Sequence, residues 1–234
     1  MEKILVIAAH PDDEILGCGG TIRRLVKEGN DVYSLILSDG TTSRHDNMNT
    51  EVMEEIKTRL QDSLSANKLI GYKETFFCQF IDNSFDQEGF LNIVKLVEKY
   101  VSQIKPSIIF THHHGDLNID HRITFKAVQT ATRPMAECPV KEIYCFETLS
   151  ATEWNFLNKD KFTPNYFVNI ENTLKDKMEA MKCYKSELRE YPHPRSLEGL
   201  EMAAKRWGTV VGCSYAEAFE LIRKVVIYIN TADI

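Results

Sequence analysis

The sequence predicts an α/β fold in which a mostly parallel central sheet carries helices on both faces. Apolar segments of strand length alternate along the chain with amphipathic segments of helix length. The first such strand, KILVIAA (3–9), is apolar almost throughout, as expected of a strand that helices cover on both faces. Ionisable side chains follow two of the predicted strands directly, and parallel α/β sheets place their functional residues at those strand ends.

The first three predicted elements form a βαβ unit. A helix is predicted over 21–29, because its apolar residues recur at spacings of three and four and Gly29 stands at its end. The segment DVYSLILSDG (31–40) predicts the second strand. Two parallel strands joined in this way require a right-handed crossover.

The rest of the chain continues the alternation. Long amphipathic segments predict helices over 51–71 and 90–106, which stop at Gly71 and Pro106. Further strands are predicted over 75–80, 107–114 and 142–149, and further helices over 123–131, 172–189 and 215–225. Because no repeat or linker divides the sequence, we predict one domain over residues 1–234.

Composition excludes several classes of protein. With 43% hydrophobic and 26% charged residues, the 234-residue chain is typical of a soluble globular protein, and no apolar run reaches the roughly 18 residues that span a bilayer. A formal charge of −6 argues against nucleic acid as a partner. The N-terminus lacks a secretory leader, so we expect a cytoplasmic location. Six cysteines without a CxxC pair indicate neither a thiolate zinc site nor a disulfide framework.

The first cluster of ionisable residues is AHPDDE, directly after the first strand. Neighbouring carboxylates in one tight turn repel each other, unless one takes up a proton or a cation neutralises them. A divalent metal ion can bind His10 together with one of Asp12 and Asp13. The other aspartate is then free to act as a general base.

The second cluster is THHHGDLNIDHR (111–122), after a later strand. Catalytic zinc usually has three protein ligands and an open position for water, so this segment is expected to supply the third ligand. Zinc is the expected ion, one per chain, although such a ligand set also accepts iron, cobalt or nickel.

Other interpretations of both clusters stay open. A histidine at a strand end is often only a hydrogen-bonded structural residue, and an Asp pair before a helix often only caps it. The segment LGCGGT, with Asp39 about 20 residues on, also resembles a dinucleotide-binding fingerprint. Against this, the glycines lack the GxGxxG spacing, and carboxylates stand where a pyrophosphate would bind. Close packing of the helix is the alternative role for these glycines.

The two motifs also carry a family resemblance. AHPDDE, followed about 100 residues later by DH, resembles the LmbE and PIG-L family of metal-dependent N-acetylglucosaminyl deacetylases. The segments SANKLIG, FIDNSF and GCSYAEAFE are weaker parts of the same resemblance. It implies a Rossmann-like three-layer sandwich and hydrolysis of an N-acetyl group from an amino sugar.

The resemblance also implies roles for individual residues. The metal ligands would be His10, Asp13 and His121. Asp12 would be the general base, and Arg59 and Asp82 would contact sugar hydroxyls. Without the resemblance, an Arg on a helix is most simply a surface ion-pair partner, and the Asp of DNS a turn former.

One position departs from the family pattern. Many members have HPDH where this chain has NIDH, so Asn118 replaces a histidine that polarises the carbonyl or protonates the leaving amine. Asp120, which orients that histidine in the family, is retained. The missing role could pass to His113 or His193, or Asp12 could act first as base and then as acid.

The sequence leaves several substrate classes open. YPHPRSLE (191–198) carries His193 and Arg195, and it is either a lid with a cation for an anionic group or a rigid connector. Trp154 is either an aromatic wall for a sugar ring or part of the core. Nucleotide-linked sugars, lipid-linked sugars and small glycosides are all candidates, with a membrane-bound substrate less favoured. A sugar-binding protein that has lost catalysis at Asn118 is the non-enzymatic alternative, and a homo-oligomer is compatible with the sequence.

Overall fold

A computed structural model of the protein describes residues 1–45, 47–156 and 158–226, and a single seven-stranded sheet forms its centre. The strands are β1 (Lys3–Ala8), β2 (Asp31–Ser38), β3 (Glu74–Phe80), β4 (Ile108–His112), β5 (Glu142–Phe146), β6 (Tyr166–Asn169) and β7 (Ala216–Lys224). The helices are α1 (Asp13–Lys27), α2 (Thr50–Ile70), α3 (Phe90–Ile104), α4 (Ile119–Ala131), α5 (Leu174–Met181) and α6 (Leu197–Val211).

The sheet is mostly parallel, as predicted. Its strand order is β3-β2-β1-β4-β5-β7-β6. The five strands from β3 to β5 pair in parallel, whereas β7 pairs antiparallel with both β5 and β6. β1 and β4 are therefore direct neighbours whose carboxyl ends lie at the same edge of the sheet, and the turns that follow them are brought together.

Helices cover both faces of the sheet, which confirms the predicted layers. Alternate side chains of β1 enter two separate hydrophobic clusters, with Ile4 and Val6 in one and Leu5 and Ile7 in the other. The first cluster includes residues of α1, α2, α5 and α6, and the second includes residues of α3 and α4. Because β1 is buried on both faces, its sequence is continuously apolar.

The glycines of α1 serve helix packing. A Cβ atom at Gly17 would lie 2.1 Å from the ring of Phe146, and one at Gly20 would lie 2.9 Å from Ile170. Side chains at these positions would push α1 away from the sheet. The turn before α1 is also lined by the buried carboxylates of Asp12, Asp13 and Glu14. The structure thus supports the packing interpretation of LGCGGT. The carboxylates at the start of α1 would repel a pyrophosphate there.

The predicted helix over 215–225 is wrong, because this segment forms β7. Its Ala, Glu and Leu residues favour a helix locally, but the chain instead completes the sheet between β5 and β6. The predicted helix over 172–189 is too long, since α5 ends at Met181. The strand β6 and the helix α6 were not predicted.

Two helices begin earlier than the apolar periodicity indicated. α1 starts at Asp13 rather than at residue 21, and α4 starts at Ile119 rather than at residue 123. In both, the first turn carries buried polar residues, so a pattern based on apolar residues misses it. Within the described residues, no helix is long and apolar enough to cross a bilayer.

Candidate metal centre

The two motifs meet at the carboxyl ends of β1 and β4. His10 lies in the turn after β1, Asp13 opens α1, and His121 lies in the first turn of α4. His10 is 7% exposed, Asp13 1% and His121 0%. His10 and His121, more than 100 residues apart in sequence, therefore lie in one buried cluster.

The ligand atoms of these three residues form a nearly equilateral triangle. His10 Nδ1 lies 3.2 Å from Asp13 Oδ2 and 3.2 Å from His121 Nε2. His121 Nε2 lies 3.3 Å from Asp13 Oδ2. Two ligands of a tetrahedral zinc ion lie about 3.3 Å apart, given metal–ligand distances near 2.0–2.1 Å. We call these three residues the triad.

Carboxylates hold both triad histidines from their far sides. His10 Nε2 lies 3.1 Å from Asp82 Oδ1 and 3.2 Å from Asp120 Oδ2, and His121 Nδ1 lies 3.2 Å from Asp116 Oδ2. A proton on each of these nitrogens leaves the lone pairs of His10 Nδ1 and His121 Nε2 directed into the triangle. Such outer carboxylates are the usual partners of metal-binding histidines.

The electrostatics of the metal-free triad follow from this arrangement. Burial lowers the pKa of His121, but the carboxylates of Asp13 and Asp116 outweigh it and raise that pKa to about 9. Burial raises the pKa of Asp13, yet the charge of His121 and the hydrogen bonds from His10 and His121 hold it well below its usual range. In Asp82, hydrogen bonds from His10 and Ser43 outweigh burial and lower the pKa to about 2.

The donor set fits a divalent cation. Asp13 Oδ1 is buried without a hydrogen-bond partner among the described residues, so this carboxylate has an oxygen to offer. The lone pairs of two imidazole nitrogens 3.2 Å apart, next to a negative carboxylate, repel each other unless a proton or a cation lies between them. Two His and one Asp make a typical three-ligand set for catalytic zinc.

His112 is a site residue whose role was not predicted. Its ring stacks on His121 with centroids 3.8 Å apart, and its Nε2 accepts the backbone N–H of Ala9 at 2.9 Å. Its Nδ1 lies 3.2 Å from Thr148 Oγ1, so the neutral ring satisfies both neighbours. Burial, followed by the charge of His121, lowers the pKa of His112. His112 thus fixes the plane of the His121 ring.

Asp12 adopts an unusual backbone conformation, with φ at +113°. The buried carboxylate of Glu14 holds it there, since Glu14 Oε2 accepts the backbone N–H of Asp12 at 2.9 Å. Tyr184 donates its hydroxyl to Glu14 Oε1 at 2.6 Å. Burial raises the pKa of Glu14 to about 7. Backbone strain of this kind is usually found at functional sites.

Two arginines from distant segments flank Asp12. Arg59 Nη2 on α2 lies 3.2 Å from Asp12 Oδ2, and Arg195 Nη1 lies 3.3 Å from the same oxygen. Both guanidinium groups also bind Glu187, at 2.6 Å from Arg59 and 3.3 Å from Arg195. Burial raises the pKa of Asp12, while the two arginines oppose that rise. We call these four residues the charged wall.

A small polar cavity opens between the triad and the charged wall. It is lined by His10, Asp12, Gly40, Ser43, Arg44, Arg59, Asp82, Asn83, Asn118 and Arg195. Asn118 caps α4, because its Oδ1 accepts the backbone N–H of Asp120 at 2.8 Å, and its Nδ2 donates to Asn83 at 3.0 Å. Asp120 accepts the backbone N–H groups of Asn83 and Phe85, which places the loop after β3 beside His10.

Three residues considered as site residues do not line this cavity. His113 is turned to the other side of the β4 end, where its ring contacts Glu220 and the backbone carbonyl of Asp160, each at 3.0 Å. Successive residues at a strand end point in opposite directions, so His112 and His113 cannot both face the triad. His193 Nδ1 accepts the backbone N–H of Arg195 at 3.1 Å, and Trp154 packs on its ring.

Known proteins are similar to this chain in sequence and in fold. Diacetylchitobiose deacetylase of Thermococcus kodakarensis is 25% identical over 244 aligned residues, which cover 98% of this chain and 86% of that protein. The structure of N,N'-diacetylchitobiose deacetylase from Pyrococcus horikoshii, complexed with an inhibitor, superposes with a TM-score of 0.74 at 20% identity, covering 95% of this chain and 84% of that one.

A second solved structure shows the same fold in a protein named for another reaction. GalB, the 4-carboxy-2-hydroxymuconate hydratase of Pseudomonas putida, superposes with a TM-score of 0.77 at 18% identity, covering 99% of this chain and 100% of that one. Residues 5–132, more than half of the chain, match the family described as PIG-L: GlcNAc-PI de-N-acetylase. The family resemblance of the AHPDDE and DH motifs is thereby confirmed, and the chain belongs to the PIG-L family.

Proposed function

We propose that this protein is a zinc-dependent hydrolase that removes the N-acetyl group of an amino sugar or of its conjugate. The observation that carries the proposal is the buried triangle of His10 Nδ1, Asp13 Oδ2 and His121 Nε2, with sides of 3.2–3.3 Å. Family membership and the deacetylase relative support the same reaction.

The triad would hold the metal ion, and Asp82, Asp116 and Asp120 would orient its histidines. When bound, a divalent ion there lowers the pKa of a water molecule and polarises an acyl carbonyl. Polar side chains rather than apolar ones form the walls of the cavity beside the triad, which suits a substrate rich in hydroxyl groups.

Asp12 is the general base in this proposal. Two carboxylates line the cavity beside the triad, those of Asp12 and Asp82, and the pKa of Asp82 is only about 2. A base with so low a pKa is weak, so Asp82 is poorly suited to take a proton. Burial raises the pKa of Asp12, which makes it the better base at neutral pH.

Asp12 also serves as the proton donor to the leaving amine. Neither His113 nor His193 lines the cavity, and Asn118 carries no titratable proton. Having accepted the proton of the attacking water, Asp12 can return it to nitrogen from the same position. Arg59 and Arg195 keep its carboxylate aimed at the cavity through both steps.

The substrate is proposed to be a hydroxyl-rich sugar with an N-acetyl group. Asp82, Asn118 and Ser43 at the cavity edge offer acceptors and donors for hydroxyls, and Arg44, Arg59 and Arg195 add positive charge for an anionic substituent. The relative named diacetylchitobiose deacetylase makes a GlcNAc-containing disaccharide the first compound to test.

The experiment is an assay of the zinc-loaded protein on N-acetylglucosamine, N,N'-diacetylchitobiose, UDP-N-acetylglucosamine and a small N-acetylglucosamine glycoside. We expect at least one of them to yield acetate and a primary amine in equal amounts. The variant Asp12→Asn is the negative control for a contaminating hydrolase. Absence of acetate from all four, with folded protein that contains zinc, would contradict the proposal and favour a sugar-binding protein or another reaction on this fold.

A further inference from the structure

A second cluster of metal-binding side chains lies on the other side of the β4 end. It consists of His113 and His114, directly after β4, and Glu220 on β7. The ligand atoms of the three residues all lie within 4.8 Å of one another. None of the three residues lines the cavity beside the triad.

The hydrogen bonds of His113 determine where its lone pair points. Its Nε2 lies 3.0 Å from the backbone carbonyl oxygen of Asp160, which can only accept a hydrogen bond. Nε2 therefore carries the proton, and in the neutral ring Nδ1 carries a lone pair. That Nδ1 lies 3.0 Å from Glu220 Oε2, so two acceptors face each other unless a proton or a cation lies between them.

His114 brings a second nitrogen to the same carboxylate oxygen. Its Nδ1 lies 3.7 Å from Glu220 Oε2, which is too long for a hydrogen bond but compatible with two ligands of one ion. Tetrahedral zinc ligands lie about 3.3 Å apart, between the two distances found here. The His113 and His114 rings contact each other, with centroids 4.3 Å apart.

The surroundings hold the cluster in place and leave it accessible. The other oxygen of Glu220 accepts the backbone N–H of Thr163, and Phe162 packs on the ring of His113. The His113 side chain is fully buried, whereas that of His114 is 42% exposed. An ion can therefore enter from solvent through the His114 side and find two of its three ligands already fixed.

We propose that His113, His114 and Glu220 form a second divalent-metal site, separate from the triad and selective for zinc-like transition metals over magnesium and calcium. Two imidazole nitrogens and one carboxylate are the donors that zinc, nickel and copper prefer, whereas magnesium and calcium prefer oxygen ligands. An ion there would join the loop after β4 to β7 and stabilise the C-terminal part of the sheet.

Metal stoichiometry tests the proposal with the full-length protein. Metal-stripped protein is titrated with Zn²⁺, with Mg²⁺ and Ca²⁺ as comparison ions, and bound metal is counted by elemental analysis after gel filtration. We expect about two zinc ions per wild-type chain, one for each ligand set of three side chains. The variants His114→Ala and Glu220→Gln should each retain one, and so should His121→Ala, which removes the other site.

Two controls make the result specific. His45→Ala removes a histidine that pairs with the carboxylate of Glu55 and belongs to neither ligand set, so it should leave two zinc ions bound. Circular dichroism establishes that each variant is folded, and the exposed position of His114 favours this for His114→Ala. One zinc ion in the wild type that is lost in His121→Ala, or two retained in both His114→Ala and Glu220→Gln, would overturn the second site. Neither result would affect the proposed deacetylase activity, which depends on the triad.

Discussion

The triad and the charged wall face each other across one cavity, but the chain builds them in different ways. The triad comes from two short motifs at the ends of neighbouring parallel strands. The charged wall joins Asp12 to Arg59 on α2 and to Glu187 and Arg195 between α5 and α6, up to 183 residues away. The proposed metal ligands thus come from local motifs, whereas long-range packing sets the surroundings of Asp12, the proposed general base.

The substitution Asp12→Asn is expected to have the largest effect on activity, and it changes the charged wall without changing the triad. The substitution leaves the triad intact, so zinc content should equal that of the wild type. The rate constant kcat should fall by about 10²–10⁴-fold, because an amide cannot accept the proton of water. The measurement is kcat for acetate release together with elemental analysis. Asp86→Asn, at an exposed position, is the matched control. Wild-type turnover by Asp12→Asn would remove this residue from the mechanism.

A smaller effect is expected for Arg195→Ala, which alters only the charged wall. The positive charge of Arg195 lowers the pKa of Asp12, so its removal should raise that pKa. The acidic limb of the pH profile of kcat/KM should move to higher pH by about half a unit to one unit. Arg195→Lys keeps the charge and should move the limb less. Profiles that superpose for wild type and Arg195→Ala would show that the arginine does not tune Asp12.

A third effect concerns the triad alone and the pH dependence of metal binding. In the metal-free protein the pKa of His121 is about 9, above its ordinary value of 6.5. Its protonation stabilises the metal-free fold below pH 6.5, and this contribution is lost as the pH rises through 9. Zinc must displace that proton, so the apparent affinity should rise at least about tenfold per pH unit between those values.

Calorimetry in two buffers with different ionisation enthalpies counts the protons released by zinc, and Glu220→Gln isolates the triad for this purpose. At least one proton per ion is expected at pH 7, because His121 is then protonated. An affinity that stays constant from pH 6.5 to 9 would mean that His121 is neutral before the metal binds.

The meeting of the two motifs could be predicted from the sequence because it follows from strand order, whereas the family resemblance was needed to name Asp13 and His121 as the partners of His10. Two apolar strands lead into His10 and into the His-rich segment 111–122. If such strands are parallel neighbours, their carboxyl ends lie side by side, and β1 and β4 are parallel neighbours. The same logic could not distinguish His112 from His113. Which of two consecutive histidines faces the triad depends on where β4 ends, and apolar patterns locate strand ends only within a few residues.

The charged wall and the C-terminal strands were less predictable. Glu187 lies in a segment without periodicity, and only the folded chain brings it to Arg59 and Arg195. β7 is built from residues that favour helices, and its pairing with β5 and β6 overrides that preference. In both cases the deciding interactions are made with residues remote in sequence.

The most direct test of the central claim is metal removal and replacement while acetate release is recorded, in the wild type and in His121→Ala. The metal-free wild type should be inactive and should regain activity when zinc is added, whereas His121→Ala should stay at least about 10³-fold less active at the same zinc concentration. Full acetate release by metal-free wild type, or by zinc-supplemented His121→Ala, would contradict the assignment of the triad as the metal centre.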